Sequence, residues 1–270
     1  MSSPTSRGRG FPPPAEDSWA LVTGASSGIG AQFARALAAR GYNLLLTGRR
    51  EEALAQVARE ISSPGRQVES VLAELSRPSE VERILERCAG RRVDALVNNA
   101  GFGLGRAFLD EPFESQERME RVHVWAPMRL IHELAPRMVV RGSGAIINVA
   151  SLAAFLPMPT SAMYAATKTF LRLFSESLAV ELWASGVRVQ VLCPGFTRTR
   201  FHAGLRAPEQ QLGNRFLVHW MDPPAVVRAS LDALDRNRVV CVPGFWNRVI
   251  RSLIPLIPRR LFYRLAASRV

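Results

Sequence analysis

The sequence predicts a three-layer α/β fold in which helices cover both faces of a doubly wound parallel sheet. Short apolar runs alternate along the chain with longer stretches of helical periodicity, the order expected of parallel strands joined by crossover helices. The runs are apolar almost throughout, as is typical of strands that are buried on both faces. Glycine-rich and polar residues follow several of these runs, at the sheet edge where open α/β folds bind ligands.

Length and composition indicate a globular protein with a sizeable core. Of its 270 residues, 47% are hydrophobic and 21% are charged. We expect a flexible tail at 1–17, rich in Ser, Pro, Gly and Arg, a main domain at 18–244 and an extension at 245–270. The cysteines Cys88, Cys193 and Cys241 show neither a disulfide framework nor metal-ligand spacing, so no metal is expected. With no secretory signal or membrane-spanning run in the sequence, these thiols predict a cytoplasmic protein.

The positive charge of the chain is unevenly placed. The formal net charge is +12, and residues 245–270 contain six arginines and no acidic residue. This distribution indicates a local basic patch and argues against a nucleic-acid-binding protein.

Strands and helices are expected in regular alternation along the main domain. The predicted strands are 19–23, 43–48, 67–75, 93–97, 144–150, 187–192 and 238–242. The predicted helices are a run ending near Arg40, 51–62, 78–88, one long helix at 113–141, a helix from Tyr164 to about Ala184, and 223–236.

A glycine-rich turn joins the first strand to the first helix. The glycines of this GxxxGxG turn would let the backbone approach a pyrophosphate, which the helix N-terminus would also attract. An ordinary turn without a ligand is the alternative. The candidate binding residues are Gly24, Ser26, Ser27, Gly28, Ile29 and Gly30.

The end of the second strand indicates which dinucleotide would bind. An acidic residue at this point would accept a hydrogen bond from the ribose of NAD, but Arg49 and Arg50 precede the first acid, Glu51. Two arginines suit a 2′-phosphate, so the sequence predicts NADP(H). The alternative is that Arg50 merely caps the strand. Glu74 and Leu75 end the third predicted strand beside the expected adenine position.

Acid–base chemistry is predicted around Tyr164 and Lys168, which are four residues apart and so share one face of a helix. A nearby cation would lower the pKa of the phenol from about 10 and allow proton exchange with an alcohol or carbonyl. Lys168 is the only lysine among 35 basic residues, and arginine cannot relay a proton as an amine does. Ser151, at the end of the fifth strand, could hold the substrate oxygen. An ordinary exposed helix pair is the alternative.

These motifs together resemble the short-chain dehydrogenase/reductase superfamily, over about residues 18–244. Each motif is weak alone, but their order on the predicted elements is specific. The matching positions are 23–30, 98–101, Ser151, Tyr164 with Lys168, and Pro194-Gly195 followed by Thr199.

The resemblance implies a Rossmann-like catalytic domain and a role for each matched residue. Tyr164 would be the general acid that protonates a carbonyl, Lys168 would lower its pKa and bind the nicotinamide ribose, and Ser151 would orient the carbonyl. Asn99 would stabilise the cofactor site, and Thr199 would contact the carboxamide. Further implied cofactor contacts are Ala100, Gly101, Pro194, Gly195 and Thr197.

One position departs from the family pattern. Where the family usually has an asparagine that anchors a water in a proton relay to the lysine, this chain has His123. The histidine could hold the same water, titrate and alter the pH profile, or weaken the relay. The resemblance also implies a homodimer or homotetramer paired through its long fourth and fifth helices.

The predicted function is an NADP(H)-dependent oxidoreductase that interconverts a small-molecule ketone or aldehyde and an alcohol. The alternative is a non-catalytic NADP-binding module that senses redox state. An apolar pocket would favour a lipid-, steroid- or aromatic-like substrate, although its residues could equally be core. The pocket candidates are Phe155, Leu156, Met158, Phe196, Phe201, Leu205, Phe216 and Trp220.

The extension at 245–270 has the pattern of a basic amphipathic helix, broken at Pro255 and restarted after Pro258. It could pack on its own domain or on a subunit partner, cover an apolar substrate, or contact an anionic membrane peripherally. The apolar positions are Trp246, Val249, Ile250, Leu253, Ile254 and Ile257.

Overall fold

The computed structural model describes residues 10–201 and 219–267, and a seven-stranded parallel sheet organises them. The strands are β1 (Ser18–Val22), β2 (Asn43–Gly48), β3 (Val68–Leu72), β4 (Arg92–Asn98), β5 (Gly144–Val149), β6 (Val187–Leu192) and β7 (Val240–Cys241). Their order is β3-β2-β1-β4-β5-β6-β7, which confirms the doubly wound parallel sheet.

Helices lie on both faces of the sheet in the described part of the chain. They are α1 (Gly28–Ala39), α2 (Glu51–Ile61), α3 (Pro78–Cys88), α4 (Phe113–Glu120), α5 (Ala126–Arg141), α6 (Ala162–Glu181), α7 (Pro223–Asp235), α8 (Phe245–Leu253) and α9 (Arg259–Ala267).

Two apolar layers sandwich the sheet. Along β1, Ala20 and Val22 belong to the layer that includes α1, α2 and α7, whereas Trp19 and Leu21 belong to the layer that includes α3 and α5. Successive side chains of a strand point to opposite faces, so strands apolar at every position require helices on both sides.

The sheet topology places the candidate site. The chain order reverses at β1, which pairs with β2 on one side and with β4 on the other. In open parallel sheets, ligands bind in the crevice at this reversal, outside the carboxyl ends of the strands. The glycine-rich turn, Asn99 and Ser151 all follow strands at this edge.

The expected helical stretch at 113–141 is continuous in the structure, but its middle is not α-helical. A π-helical turn, Arg121–Trp125, separates α4 from α5, and it carries His123. Such turns insert an extra residue into a helix and occur often at functional sites. The third strand is also shorter than expected, because it ends at Leu72 and leaves Glu74 and Leu75 beyond it.

The sequence predicts a flexible tail at 1–17, but the second part of this segment packs on the domain. Phe11 is buried, its ring packs edge-on against Tyr42, and its backbone N–H donates to Asp235. The Tyr42 hydroxyl donates to the carbonyl of Pro12. These contacts fix the end of the tail against the domain, while residues 1–9 lie outside the described residues.

The extension begins directly after β7 and folds as two short helices. Pro255 lies in a 3-10 turn, Ile254–Leu256, and Pro258 precedes α9. No helix among the described residues has the length and apolarity needed to cross a membrane. Nor do residues 10–201 and 219–267 contain a cluster of side chains that could hold a metal ion.

Candidate active site

The glycine-rich turn after β1 has a backbone that requires glycine at its key positions. Gly24 and Gly28 have φ angles of +65° and +57°, in the left-handed region that disfavours other residues. A Cβ atom on Gly30 would lie 2.3 Å from the carbonyl oxygen of Gly24 and 2.4 Å from the amide of Asn99. The turn can therefore bring its backbone close to a ligand, and α1 begins at its end.

Asn99 ties the end of β4 to this turn. Its side-chain amide donates to the carbonyls of Thr23 at 3.0 Å and Gly24 at 3.2 Å. The Thr23 hydroxyl in turn accepts hydrogen bonds from the backbone N–H groups of Asn99 and Ala100. These bonds hold the two strand ends that flank the crevice at a set distance.

A cavity of about 200 Å³ opens beside the turn, between α1 and α2. Arg50 extends over it and donates to the backbone carbonyl and hydroxyl of Ser26 at 3.1 and 3.3 Å. Guanidinium and hydroxyl groups are typical phosphate ligands. The polar residues that line the cavity are Ser26, Ser27, Arg35, Arg50, Gln56, Glu60 and Arg200.

The sequence predicts that Arg49 and Arg50 together bind a 2′-phosphate, but in the structure the two side chains contact different partners. Arg49 forms an ion pair with Glu74 at 3.1 Å, and Arg118 lies 3.7 Å from the same carboxylate. Only Arg50 contacts the glycine-rich turn. Leu75 is buried in the core, so its side chain does not face the crevice.

Sequence reasoning missed two basic residues at the cavity. Arg35 reaches it from α1 and forms an ion pair with Glu60, while Arg200 comes from the segment after β6. Helical spacing from the glycine-rich turn could have suggested Arg35. No local pattern indicates Arg200, because only the path of the chain after β6 brings it there.

The predicted catalytic residues meet at the carboxyl end of β5. Tyr164 and Lys168 lie on one face of α6, with the Lys168 ammonium 5.8 Å from the centre of the Tyr164 ring. The Lys168 ammonium is buried and donates to the carbonyl of Val149 at 3.0 Å. The Ser151 hydroxyl accepts the N–H of Ala153 at 3.1 Å and lies close enough to the Tyr164 phenol to lower its pKa.

Burial shifts the pKa of both Tyr164 and Lys168. For Tyr164 the shift is opposite to the one that the sequence predicts. Burial raises the pKa of Tyr164 to about 12, and the hydrogen bond with Ser151 only partly opposes it. Burial lowers the pKa of Lys168 to about 8. The prediction that Lys168 lowers the pKa of the phenol is therefore wrong for the folded chain, in which burial dominates. Tyr164 is a neutral phenol at pH 7, as a proton donor must be.

His123 is fully engaged by protein groups. Its Nε2 accepts the backbone N–H of Phe102 at 3.0 Å, which leaves Nδ1 as the protonated nitrogen. Nδ1 lies 3.0 Å from the hydroxyl of Thr167, which itself donates to the carbonyl of Tyr164. Burial, with a smaller contribution from Lys168, holds the pKa of His123 well below its usual range. His123 is thus neutral and braces the helix of Tyr164, with neither ring nitrogen left to anchor a relay water.

This network predicts how stability responds to acid. Because the folded-state pKa of His123 is depressed, the unfolded chain takes up its proton first, and stability falls as pH drops below about 6.5. We expect the free energy of unfolding of wild type to fall by up to about 1.4 kcal/mol per pH unit relative to His123→Asn. Urea unfolding between pH 7 and 5 measures this, with exposed His132→Asn as the matched control. Parallel curves for wild type and His123→Asn would contradict the neutral assignment.

The segment after β6 closes over the glycine-rich turn. The carbonyl of Pro194 accepts the N–H of Leu152 at 2.8 Å, and the buried hydroxyl of Thr197 donates to Gly195. The methyl group of Thr199 packs so closely on Gly28 that an added Cβ would lie 2.8 Å from it. The segment therefore brings Thr199 next to the turn.

Aromatic rings surround the Tyr164 phenol. Phe201 and His123 each lie 5.7 Å from the Tyr164 ring, and Phe102, which sequence reasoning missed, packs on His123. Phe102 directly follows the Asn-Asn-Ala-Gly motif, a position that could have suggested it. Of the predicted pocket residues, Leu205 and Phe216 lie outside the described residues. The remaining members lie in the loops after β5 and β6: Phe155, Leu156, Met158, Phe196, Phe201 and Trp220.

Known proteins match both the sequence and the fold. The family model for short chain dehydrogenase matches residues 18–210. An uncharacterized oxidoreductase of Staphylococcus saprophyticus is 36% identical over 224 residues, which are 82% of this chain and 92% of that protein.

Two solved structures share the architecture. A short-chain dehydrogenase from Sphingobium yanoikuyae in complex with NADPH has a TM-score of 0.76 and 33% identity over 88% of this chain and 94% of its own. The bulky-bulky ketone specific alcohol dehydrogenase from Comamonas testosteroni has a TM-score of 0.74 and 29% identity, covering 88% and 92%. The chain thus belongs to the short-chain dehydrogenases, oxidoreductases that act on CH–OH or carbonyl groups.

Proposed function

We propose that this chain is an NADP(H)-dependent oxidoreductase that interconverts an apolar ketone or aldehyde and the corresponding alcohol. The observation that carries the proposal is the meeting of a neutral phenol, a serine hydroxyl and a buried amine beside the glycine-rich turn. Ser151, Tyr164 and Lys168 come from two elements, and the sheet edge brings them together. A binding module without chemistry would account for Lys168 as a cofactor ligand, but not for a phenol and a serine hydroxyl gathered beside it.

The residues present fit a dinucleotide cofactor. The turn from Gly24 to Gly30 has no room for a Cβ at Gly30, which is the close approach that a pyrophosphate needs. The contact of Arg50 with Ser26 beside the turn supports a role for these two residues in binding a 2′-phosphate, and Thr199 lies against the turn. Glycine at position 101 keeps the space beside Lys168 open, because an added Cβ would lie 3.0 Å from Nε2 of His123 and 3.4 Å from the Lys168 ammonium. When bound, NADPH supplies the hydride.

The protein groups supply the proton and stabilise the charge. The Ser151 hydroxyl donates a hydrogen bond to the carbonyl oxygen and polarises it. As that oxygen becomes an alkoxide, the Tyr164 phenol transfers its proton to it, which yields the alcohol and a phenolate. The Lys168 ammonium stabilises the phenolate, and a proton from solvent restores the phenol. Alcohol oxidation uses the same groups in reverse.

Two lines of support favour an apolar substrate. Phe201 contacts the Tyr164 ring, and the loops after β5 and β6 carry further aromatic and aliphatic side chains such as Phe155 and Trp220. The related Comamonas testosteroni enzyme is named for bulky ketones, which makes this class the natural choice for a screen. Such pockets take their specificity from a few polar groups at the reacting end.

We also propose a cytoplasmic homo-oligomer. Three buried free thiols support a reducing compartment. Exposed apolar side chains on α5 and α6, including Val140, Phe170, Leu173 and Val180, support pairing of these helices between subunits.

Cofactor binding tests the proposal, and Arg50 provides the sharpest variant. We expect wild type to bind NADPH more tightly than NADH. Removing one charge-assisted contact costs about 1.5–3 kcal/mol, so Arg50→Ala should weaken NADPH binding roughly 10- to 150-fold and leave NADH binding unchanged. Arg49→Ala is the matched control, because its guanidinium pairs with Glu74 instead, and it should have a much smaller effect.

Fluorescence titration of both nucleotides distinguishes the outcomes. Equal affinity of wild type for NADPH and NADH would overturn the cofactor assignment but leave an oxidoreductase. Binding of neither nucleotide would argue for a different role of the whole site.

A further inference from the structure

The first helix of the extension is amphipathic in an unusual orientation. Its apolar side chains recur at positions 245, 246, 249, 250 and 253, which form one face of a helix. The opposite side carries Asn247, Arg248 and Arg251. A surface helix of a globular protein normally turns its apolar face inward.

Asn247, on the polar side of α8, is the residue of this helix that packs on the domain. Asn247 is only 4% exposed, donates to the carbonyl of Pro243 at 2.8 Å and packs against Gly195. Arg251 lies over the ring of Phe155, 5.1 Å from its centre. By contrast, Phe245, Trp246 and Leu253 are 63%, 50% and 53% exposed. Three of the five apolar side chains of α8 are therefore exposed, while Val249 and Ile250 are half-buried and Trp246 also stacks on His219.

The exposed apolar surface continues beyond α8. We define the C-terminal surface as the exposed side chains of residues 245–267. Leu256, Ile257 and Tyr263 belong to it in addition to those of α8. Tryptophan and tyrosine side chains with one apolar and one polar end are typical of the interface between lipid and water.

Charge identifies the partner of this surface. No acidic residue follows Asp235, and residues 245–270 contain six arginines. Five of them are exposed on the described helices: Arg248, Arg251, Arg259, Arg260 and Arg264. A second copy of the same surface would set arginine against arginine, whereas anionic lipid headgroups complement both the charge and the apolar side chains.

We infer that the C-terminal surface docks the protein peripherally on membranes that contain anionic lipid. The apolar side chains of α8 enter the boundary of the bilayer, and the arginines bind lipid phosphates. Because Asn247 and Arg251 attach α8 beside Gly195 and Phe155, the docked face adjoins the loops that follow β6 and Ser151. The inference stands on this surface alone and does not require the proposed activity.

Vesicle sedimentation of the full chain, without nucleotide or substrate, tests the inference. We expect binding to vesicles of phosphatidylcholine mixed with phosphatidylglycerol, little binding to phosphatidylcholine alone, and release by high salt. The apolar variant Trp246→Ser/Leu253→Ser and the charge variant Arg259→Gln/Arg260→Gln should each reduce partitioning by on the order of tenfold or more.

Matched controls remove an equal number of arginines, or an exposed apolar side chain, from other surfaces. Arg59→Gln/Arg77→Gln and Leu109→Ser change exposed residues on or beside α2 and α3 and in the 3-10 turn Phe108–Asp110, and these variants should bind vesicles as wild type does. Circular dichroism checks the fold of each variant. Absence of wild-type binding to anionic vesicles, or binding by the apolar or the charge variant that equals that of wild type, would overturn the inference. So would a loss of self-association in Trp246→Ser/Leu253→Ser on size-exclusion chromatography, which would make this face an interface between copies.

Discussion

Tyr164→Phe is expected to lower kcat for carbonyl reduction by about 10²- to 10⁴-fold, the usual contribution of a positioned general acid. Phenylalanine keeps the ring against Phe201 and His123 but cannot donate the proton. Because burial keeps the pKa of Tyr164 at about 12, wild type holds the phenol in its donor form at neutral pH. Steady-state reduction of an apolar ketone with NADPH measures the loss.

The control for this variant separates chemistry from binding. NADPH affinity should change little in Tyr164→Phe, since the variant removes a single hydroxyl. Tyr263→Phe, at an exposed tyrosine of α9, should leave turnover as in wild type. Retention of more than a tenth of kcat in Tyr164→Phe would show that another group supplies the proton.

Removing the buried amine is expected to have the second largest effect. Lys168→Met should lower kcat/KM by about 10²- to 10³-fold, as loss of a preorganised donor to a developing negative charge does in other enzymes. Such a variant leaves the phenolate of Tyr164 without its cation. Single-turnover reduction in the presence of saturating NADPH measures this effect on the chemical step.

The pH dependence of kcat/KM also tests Lys168, because a purely structural role of this residue would leave that dependence unchanged. Because burial lowers the pKa of Lys168 to about 8, kcat/KM for reduction should fall as pH rises through that value and the ammonium is lost. In Lys168→Arg the cation persists at all working pH values, so this limb should disappear even if the overall rate is reduced. A limb near pH 8 that survives in Lys168→Arg would assign it to another group.

His123 replaces a water-mediated contact of the family pattern with direct hydrogen bonds to protein groups. In the family pattern described above, an asparagine holds a water at this position, whereas here the ring of His123 bonds Phe102 and Thr167 directly. A neutral imidazole beside Lys168 also avoids placing a second buried cation next to the ammonium. The proton path to Lys168 must then run by groups other than the His123 nitrogens.

The sequence alone determined the order of strands and helices and the position of the glycine-rich turn within it. Uniformly apolar runs predict strands covered on both faces, and the glycines at 24, 28 and 30 predict a turn that other residues cannot form. The four-residue spacing of Tyr164 and Lys168 likewise predicts a shared helical face. Each of these signals is local, because it depends on backbone geometry within a few residues.

Only the tertiary structure decided how those residues are used. Arg49 and Arg50 are neighbours in sequence, yet one pairs with Glu74 and the other with Ser26, since their partners come from different elements. The protonation states of Tyr164, Lys168 and His123 follow from burial, which depends on everything packed around them. The exposure of Phe245, Trp246 and Leu253 on α8 depends in the same way on the contact of Asn247 with Gly195. Partners distant in sequence leave no local pattern, so these features could be read only from the folded chain.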